Sequence, residues 1–179
     1  KAHGGARVLT SWVGEAAAAP ARRLFVENGI PTYDTPEEAV ATLMHEIGHT
    51  MGLQHPGSYD AADGPATYAA DAGYFQDSNQ YTIMSYFGAG NTQPGWVGMG
   101  PEDSFLLHDI YALQREYGAE MNTRTGNTTY GFNSNAGAVF DLTLNQTPHY
   151  AIWDAGGYDT LDLSLANLAV AIDLRPGTF

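Results

Sequence analysis

One stretch of the sequence combines residue types and spacings that are typical of a catalytic metal site. His45 and His49 stand four residues apart with Glu46 between them, and Gly52 and His55 complete the pattern HExxHxxGxxH. On a helix, the two histidines lie about 40° apart on one face, and Glu46 lies about 60° further round. Three neutral imidazoles with one open position describe a catalytic zinc site, in which the carboxylate reaches the zinc-bound water rather than the metal.

The residues before this pattern predict the helix that must carry it. Thr35-Pro36-Glu37-Glu38 combines a capping box with proline at the first helical position, so we expect a helix from Pro36 to Gly52. Gly52 lacks a Cβ, and a sharp turn there would bring His55 back to the metal. The alternative is a helix whose histidines only form hydrogen bonds. The helix positions expected to face the core, opposite the histidines, are Val40, Leu43, Met44, Ile47 and Met51.

Composition excludes several classes of function. With 7 Lys and Arg against 20 Asp and Glu, the net charge of −13 argues against a nucleic-acid partner, because phosphate contacts need clustered basic residues. We interpret the acidic excess as a contribution to solubility. There is no cysteine, so any metal must be held by histidines and oxygen ligands. No apolar stretch is long enough to span a membrane, and the beginning at Lys1 leads us to expect a processed or partial chain.

Flanking segments predict a mixed α+β protein. After Pro20, the residues 21–28 form a short candidate helix that Gly29 would stop, and residues 53–100 indicate long loops around short strands. A second helix is expected from Pro101 to Tyr117, ended by Gly118. Its apolar stripe is Leu106, Ile110, Leu113 and Tyr117.

From Thr128 onward the apolar period changes to two, which favours an all-β region. The pattern is clearest in two series, Leu161, Leu163, Leu165 and Leu168, Val170, Ile172, Leu174. We therefore expect two domains, a partial catalytic domain over residues 1–125 and the beginning of a β-rich domain over residues 126–179.

The zinc motif, the following Pro56 and the segment Tyr81-Thr82-Ile83-Met84-Ser85-Tyr86 together resemble the serralysins, which are bacterial secreted metalloendopeptidases of the metzincin group. The resemblance implies that Met84 forms the Met-turn beneath the zinc and that Tyr86 is a further, switching ligand. It continues through the predicted second helix and through Trp153-Asp154-Ala155-Gly156-Gly157, and it covers residues 36–179. By this resemblance, we expect most of the N-terminal sheet of a serralysin to be missing from the sequence.

From this resemblance we expect a metzincin-like catalytic domain followed by the start of a calcium-binding parallel β-roll. Zinc would activate a water molecule with Glu46 as general base, and the Tyr86 hydroxyl would help to hold the oxyanion. The expected substrates are proteins or peptides, with a proteinaceous inhibitor as a candidate partner. The expected location is extracellular, with cell-surface association as an alternative.

Residues 154–162 are similar to a degenerate turn of the calcium repeat Gly-Gly-x-Gly-x-Asp-x-Leu-x, known as the RTX repeat. On the motif alone, an ordinary Asp/Gly turn explains the sequence about equally well. The serralysin resemblance implies a calcium site at the junction of the two domains, and it matches Gly157 and Asp159 to half of a neighbouring site. The implied junction ligands are Arg124 through its carbonyl, Gly126, Thr128, Asp154, Gly156 and Asp159.

Two other functions remain open at this point. A different zinc hydrolase on a related fold would act on small esters rather than on an unstructured protein such as casein. A calcium-dependent binding or surface-layer module with a vestigial zinc site is the second alternative, although such a module has no use for Glu46. The remaining histidines, His3, His108 and His149, lack ligand-like spacing, and we expect His108 to be solvated.

Overall fold

A computed structural model describes residues 10–11, 15–60, 64–93, 100–167, 170 and 172. The described helices are α1 (Glu15–Glu27), α2 (Pro36–Thr50), α3 (Tyr68–Asp71) and α4 (Leu107–Tyr117). The strands are β1 (Thr10–Ser11), β2 (Thr32–Tyr33), β3 (Thr129–Gly131) and β4 (Thr160–Asp162). Two short 3₁₀ helices lie at Ala89–Asn91 and Ala138–Phe140.

The strands form two separate parallel pairs. β1 pairs with β2, and β3 pairs with β4, with Tyr130 opposite Leu161. The chain is thus a mixture of helices and short strands joined by long loops. No described helix has the length and apolar character that crossing a membrane requires.

Helix α2 begins as the sequence predicts. Thr35 is its N-cap, and the Thr35 hydroxyl accepts a hydrogen bond from the backbone N–H of Glu38 at 3.1 Å. The Glu38 carboxylate accepts from the N–H of Asp34 at 3.0 Å, one residue before the usual partner in a capping box. The first of these bonds satisfies an amide group that the first helical turn leaves free, and the second fixes the chain just before the helix.

The prediction that the apolar face of α2 packs into the core is wrong for three positions. Val40, Leu43 and Ile47 are exposed, whereas Ala41 and Gly48 on the histidine side are buried. The physical reason is that the loop containing Met84 packs against the histidine side of the helix. Periodicity identifies an apolar face, but it does not identify the element that covers a face.

Three other predicted boundaries differ from the structure. Helix α1 starts at Glu15 and contains Pro20, and it ends at Glu27, two residues before the predicted stop at Gly29, whose φ is 70°. Helix α4 starts at Leu107 instead of 101, because the buried Asp109 carboxylate accepts from the N–H of Leu106 at 2.9 Å. The described part of residues 53–100 contains helical turns and loops rather than strands.

The expected all-β region is mostly irregular where it is described. Strand β4 ends at Asp162, because the Asp162 carboxylate accepts from the N–H of Ser164 at 2.8 Å and the chain turns there. Leu165 lies in this turn and is exposed. Of the second predicted series, Leu168 and Leu174 lie outside the described residues, and Val170 and Ile172 are exposed.

The core is formed mainly by the loop that follows α3 and by the start of α4. Its apolar members include Ile83, Met84, Phe87 and Leu106, and buried polar side chains accompany them. Those polar residues are Asp77, Ser78, Gln80, Thr82, Ser85 and Asp109. Because buried polar groups must be hydrogen-bonded, this part of the core has a defined network rather than only apolar packing.

Gly52 reverses the chain at the end of α2. Its φ is 91°, and the N–H of Leu53 bonds back to the carbonyl of Gly48 at 3.0 Å. A Cβ at Gly52 would meet no atom closer than 3.9 Å, so the constraint on this position is conformational. A residue with a Cβ is strained in this region of φ.

We therefore expect Gly52→Ala to lower the free energy of unfolding by about 1–2 kcal/mol. Gly88→Ala is the matched control, because Gly88 has a φ of −63° and open space around it. The measurement is urea unfolding of both variants. Equal stability of Gly52→Ala and the wild type would contradict the role of this turn.

Candidate metal centre

Three histidines from two segments meet at one point. His45 and His49 lie on α2, and His55 follows the turn at Gly52. The Nε2 atom of His55 lies 3.2 Å from Nε2 of His45 and 3.2 Å from Nε2 of His49. Among the residues that the structure describes, these three form the group of His, Cys, Asp and Glu side chains that could hold a metal ion.

The other ring nitrogen of each histidine is held by a backbone carbonyl. Nδ1 of His45 lies 2.8 Å from the oxygen of Ile83, Nδ1 of His49 lies 3.0 Å from that of Leu53, and Nδ1 of His55 lies 2.7 Å from that of Tyr59. A carbonyl oxygen only accepts, so each Nδ1 carries the hydrogen and each neutral ring presents its Nε2 lone pair to the centre.

Electrostatics favour the neutral form that a metal ligand needs. Burial lowers the pKa of His45 despite the opposing bond to the Ile83 carbonyl, and the neighbouring His49 and His55 lower it further. Three lone pairs that face one another without a hydrogen between them repel, and a cation removes that repulsion.

The spacing of the nitrogens fits zinc. Tetrahedral bonds of ~2.0–2.1 Å place two ligand nitrogens about 3.3–3.4 Å apart, close to the 3.2 Å separations in the structure. Three imidazole nitrogens without a thiolate are also a donor set that zinc accepts. The residues present therefore fit this metal.

Glu46 and Tyr86 lie beside the histidine cluster. Glu46 is exposed, and it lines with His45, Tyr86 and Glu102 a cleft of about 310 Å³. The Tyr86 ring is 42% exposed, and its centroid lies 4.5 Å from that of His55. Both side chains can therefore meet a molecule in the cleft next to the metal position.

A second cleft, of about 440 Å³, lies along the segment that carries His55. His49 and His55 line it together with Gly52 and Tyr59. The histidine cluster thus contributes to the walls of two clefts.

Met84 packs beneath the histidines. Its side chain is 2% exposed, and its sulfur would lie 2.7 Å from a Cβ placed on Gly48. Gly48 stands between the two helical histidines, so only a residue without a side chain lets the sulfur approach α2 this closely. Met84 thus packs against α2 at the helix position just before His49, and its role as the Met-turn residue stays a prediction.

Asp109 supports the loop that holds His45, and sequence reasoning missed this residue. Its carboxylate accepts from the Thr82 hydroxyl at 2.5 Å and from the N–H of Ile83 at 2.9 Å. The carbonyl of Ile83 in turn accepts from His45. A lone aspartate on a predicted helix gives no sequence signal for such a contact, because its partner lies 26 residues away.

The residues of the predicted calcium site lie in two adjacent segments. The N–H of Thr128 donates to the Asp159 carboxylate at 3.0 Å, and the N–H of Ala155 donates to the Thr123 carbonyl at 3.0 Å. Asp154 accepts from the Tyr130 hydroxyl at 2.6 Å and from the N–H of Gly156 at 3.0 Å, and these bonds lower the pKa of its carboxyl group.

Glycine allows these two segments to approach. Gly157 has a φ of 122°, and a Cβ there would lie 2.3 Å from the Gly126 carbonyl oxygen. Arg124 has a φ of 51°, and its guanidinium donates to the Trp153 carbonyl at 2.9 Å and lies over the ring of Phe140. The Arg124 side chain is thus bound to the Trp153 carbonyl and the Phe140 ring.

The remaining histidines lie apart from the metal centre. His108 is half-buried between Tyr74, whose hydroxyl lies 2.9 Å from Nδ1, and the Tyr81 ring, so the prediction that it is solvated is wrong. His149 is buried, with its ring nitrogens near the carbonyls of Asn79 and Gly100. His3 lies outside the described residues.

Comparison with known protein families divides the chain into two matched regions. The model for metallo-peptidase family M12 matches residues 1–94, which include the histidine cluster. The model for the peptidase M10 serralysin C terminal region matches residues 119–179. The first match covers more than half of the chain.

Relatives of known name agree with these matches. The chain is 49% identical over 140 residues to Serralysin G of Dickeya chrysanthemi, 46% identical over 143 residues to Metallopeptidase AprA of Pseudomonas marginalis, and 44% identical over 140 residues to Serralysin of Proteus mirabilis. Each alignment covers 77% of this chain but only 28–30% of the relative. The chain therefore spans about three tenths of these relatives. On the histidine cluster, the two family matches and these identities, the chain belongs to the serralysin family of metallopeptidases.

Proposed function

We propose that this chain carries the zinc centre of a secreted endopeptidase that hydrolyses peptide bonds in proteins. His45, His49 and His55 hold the zinc, with Tyr86 as a further ligand that can move away. The observation that carries the proposal is the convergence of three Nε2 lone pairs, each fixed by a backbone carbonyl on the opposite side of its ring. When bound, zinc supplies Lewis acidity to the substrate carbonyl and to the attacking water.

Glu46 acts as the general base and then as the general acid. Its exposed carboxylate lines the cleft beside His45, where it would meet a water molecule bound next to the histidines. It takes a proton as the water oxygen bonds to the peptide carbon, and it delivers that proton to the leaving nitrogen as the C–N bond breaks. The Tyr86 hydroxyl donates a hydrogen bond to the developing oxyanion.

Two other functions are less well supported. A surface-layer or binding module would need neither a general base nor a cleft beside the metal, whereas this chain has Glu46 in such a cleft. An esterase of related fold would leave casein intact. The metallopeptidase and serralysin relatives favour protein substrates. The proposed extracellular location follows from the resemblance to the secreted serralysins.

We expect Glu46→Gln to keep zinc but to lose casein hydrolysis by roughly 10²–10⁴-fold, because an amide cannot accept the proton of the water. Glu37→Gln is the matched control, since Glu37 lies in the first turn of the same helix. Zinc content and kcat/KM are measured on both variants. Wild-type turnover by zinc-loaded Glu46→Gln would remove Glu46 from the mechanism.

We also propose that calcium joins the catalytic part, residues 1–125, to the β-rich part, residues 126–179, which begins a parallel β-roll. The N–H of Thr128 donates to the Asp159 carboxylate, and the Gly126 carbonyl lies against Gly157 across the two segments. The other proposed ligands are the Arg124 carbonyl, Asp154 and Gly156. Carboxylates between backbone carbonyls are the hard oxygen ligands that calcium prefers. The parallel pairing of β3 with β4 is the arrangement that a β-roll requires.

We expect calcium to raise the melting temperature of the chain, because a ligand that binds only the folded form stabilises it by ~2.7 kcal/mol at a hundredfold excess over Kd. Asp154→Ala combined with Asp159→Ala should abolish this increment while zinc remains bound. Asp162→Ala is the control, since its carboxylate binds Asn133 and Ser164 instead. An undiminished increment in the double variant would show that these residues form an ordinary turn.

A further inference from the structure

Asp77 is a fully buried carboxylate close to the metal centre. Its exposed fraction is 0%, and among the described residues no basic side chain forms an ion pair with it. Three hydrogen-bond donors offset the cost of burying its charge instead. The Tyr59 and Ser85 hydroxyls donate to Oδ1 at 2.8 and 2.7 Å, and the N–H of Gly73 donates to Oδ2 at 2.9 Å.

The first of these donors leads directly to the third histidine. The carbonyl of Tyr59 accepts from Nδ1 of His55 at 2.7 Å, and the Tyr59 ring stacks on the His55 ring with centroids 5.4 Å apart and an angle of 12°. The backbone and the side chain of Tyr59 therefore both orient this imidazole. The bond to Asp77 fixes the far end of the Tyr59 ring.

The second donor leads to the tyrosine beside the metal position. Ser85 immediately precedes Tyr86, and the Tyr86 ring lies 5.0 Å from the ring of Tyr59. One carboxylate oxygen therefore holds both the residue that supports His55 and the residue next to Tyr86. A rotation of the Tyr59 ring would therefore disturb both the His55 ring and the Tyr86 ring.

The third donor acts on the chain just after His55. Gly73 lies so close to Pro56 that a Cβ on it would be 2.1 Å from the Pro56 carbonyl oxygen. By fixing the Gly73 amide, Asp77 holds the surface against which Pro56 packs. The segment that carries His55 is thus held by Tyr59 at the His55 ring and by Gly73 at Pro56.

We propose that Asp77 is a positioning residue for the metal centre, acting through Tyr59 on His55 and through Ser85 on Tyr86. The proposal rests on the function given above, because it assumes that His55 is a zinc ligand. Asp77 touches neither the metal position nor the cleft. Groups that orient a ligand in this way commonly change metal affinity by 10–100-fold.

The test uses the whole chain and measures zinc affinity by competition with a chromogenic chelator. Asp77→Asn should weaken zinc binding about tenfold or more, and Tyr59→Phe should weaken it by a smaller factor. Because Tyr59 donates to the Asp77 side chain, the two changes should be coupled, and the double variant should lose less affinity than the two single losses combined. The cobalt-substituted Asp77→Asn protein should also show an altered visible absorption spectrum.

Two controls separate positioning from general stability. Tyr68→Phe removes a tyrosine hydroxyl that donates to the Phe75 carbonyl, and Ser78→Ala removes a buried hydroxyl bonded to Thr92. Both should leave zinc affinity unchanged even where they lower the melting temperature. Tyr59→Phe keeps the test decisive if Asp77→Asn does not fold.

The outcomes distinguish the two proposals. Wild-type zinc affinity in both Asp77→Asn and Tyr59→Phe, whatever their melting temperatures, would overturn the positioning role alone. Fully additive losses in the double variant would also overturn it. A wild-type chain that binds no zinc would overturn the proposed function, and the positioning role with it.

Discussion

The metal centre depends on the hydrogen bonds that three backbone carbonyls accept from the Nδ1 atoms of the histidines. The carbonyls of Ile83, Leu53 and Tyr59 fix the tautomer of each ring, so three lone pairs converge on one point. Without these bonds each ring could rotate or carry its hydrogen on Nε2, and no preformed donor set would exist. Much of the surrounding structure serves to hold those carbonyls in place.

Two buried carboxylates give the loops around the centre a defined shape. Asp109 fixes the backbone beside the His45 acceptor, and Asp77 binds the side chain of the residue that provides the His55 acceptor. Both carboxylates accept three donors, which offsets the cost of burying a charge without a cationic partner. The third acceptor, Leu53, follows the turn at Gly52 and needs only local backbone geometry.

The parts of the molecule that local chemistry determines could be predicted from the sequence. The Thr35 cap, the histidine spacing and the turn at Gly52 each depend on a few neighbouring residues, and the structure contains them. The exposure of Val40 and the Asp77 contacts could not be predicted, because they depend on segments distant in sequence. The early end of β4 was missed because the leucine period continues through a turn set by Asp162.

Zinc K-edge X-ray absorption on the purified chain tests the central claim most directly, because it counts the ligands and measures their distances. The account predicts one zinc with three imidazole nitrogens at ~2.0–2.1 Å, together with oxygen from water or Tyr86. A spectrum that fits fewer than three imidazoles would contradict the claim that His45, His49 and His55 act as one preformed site.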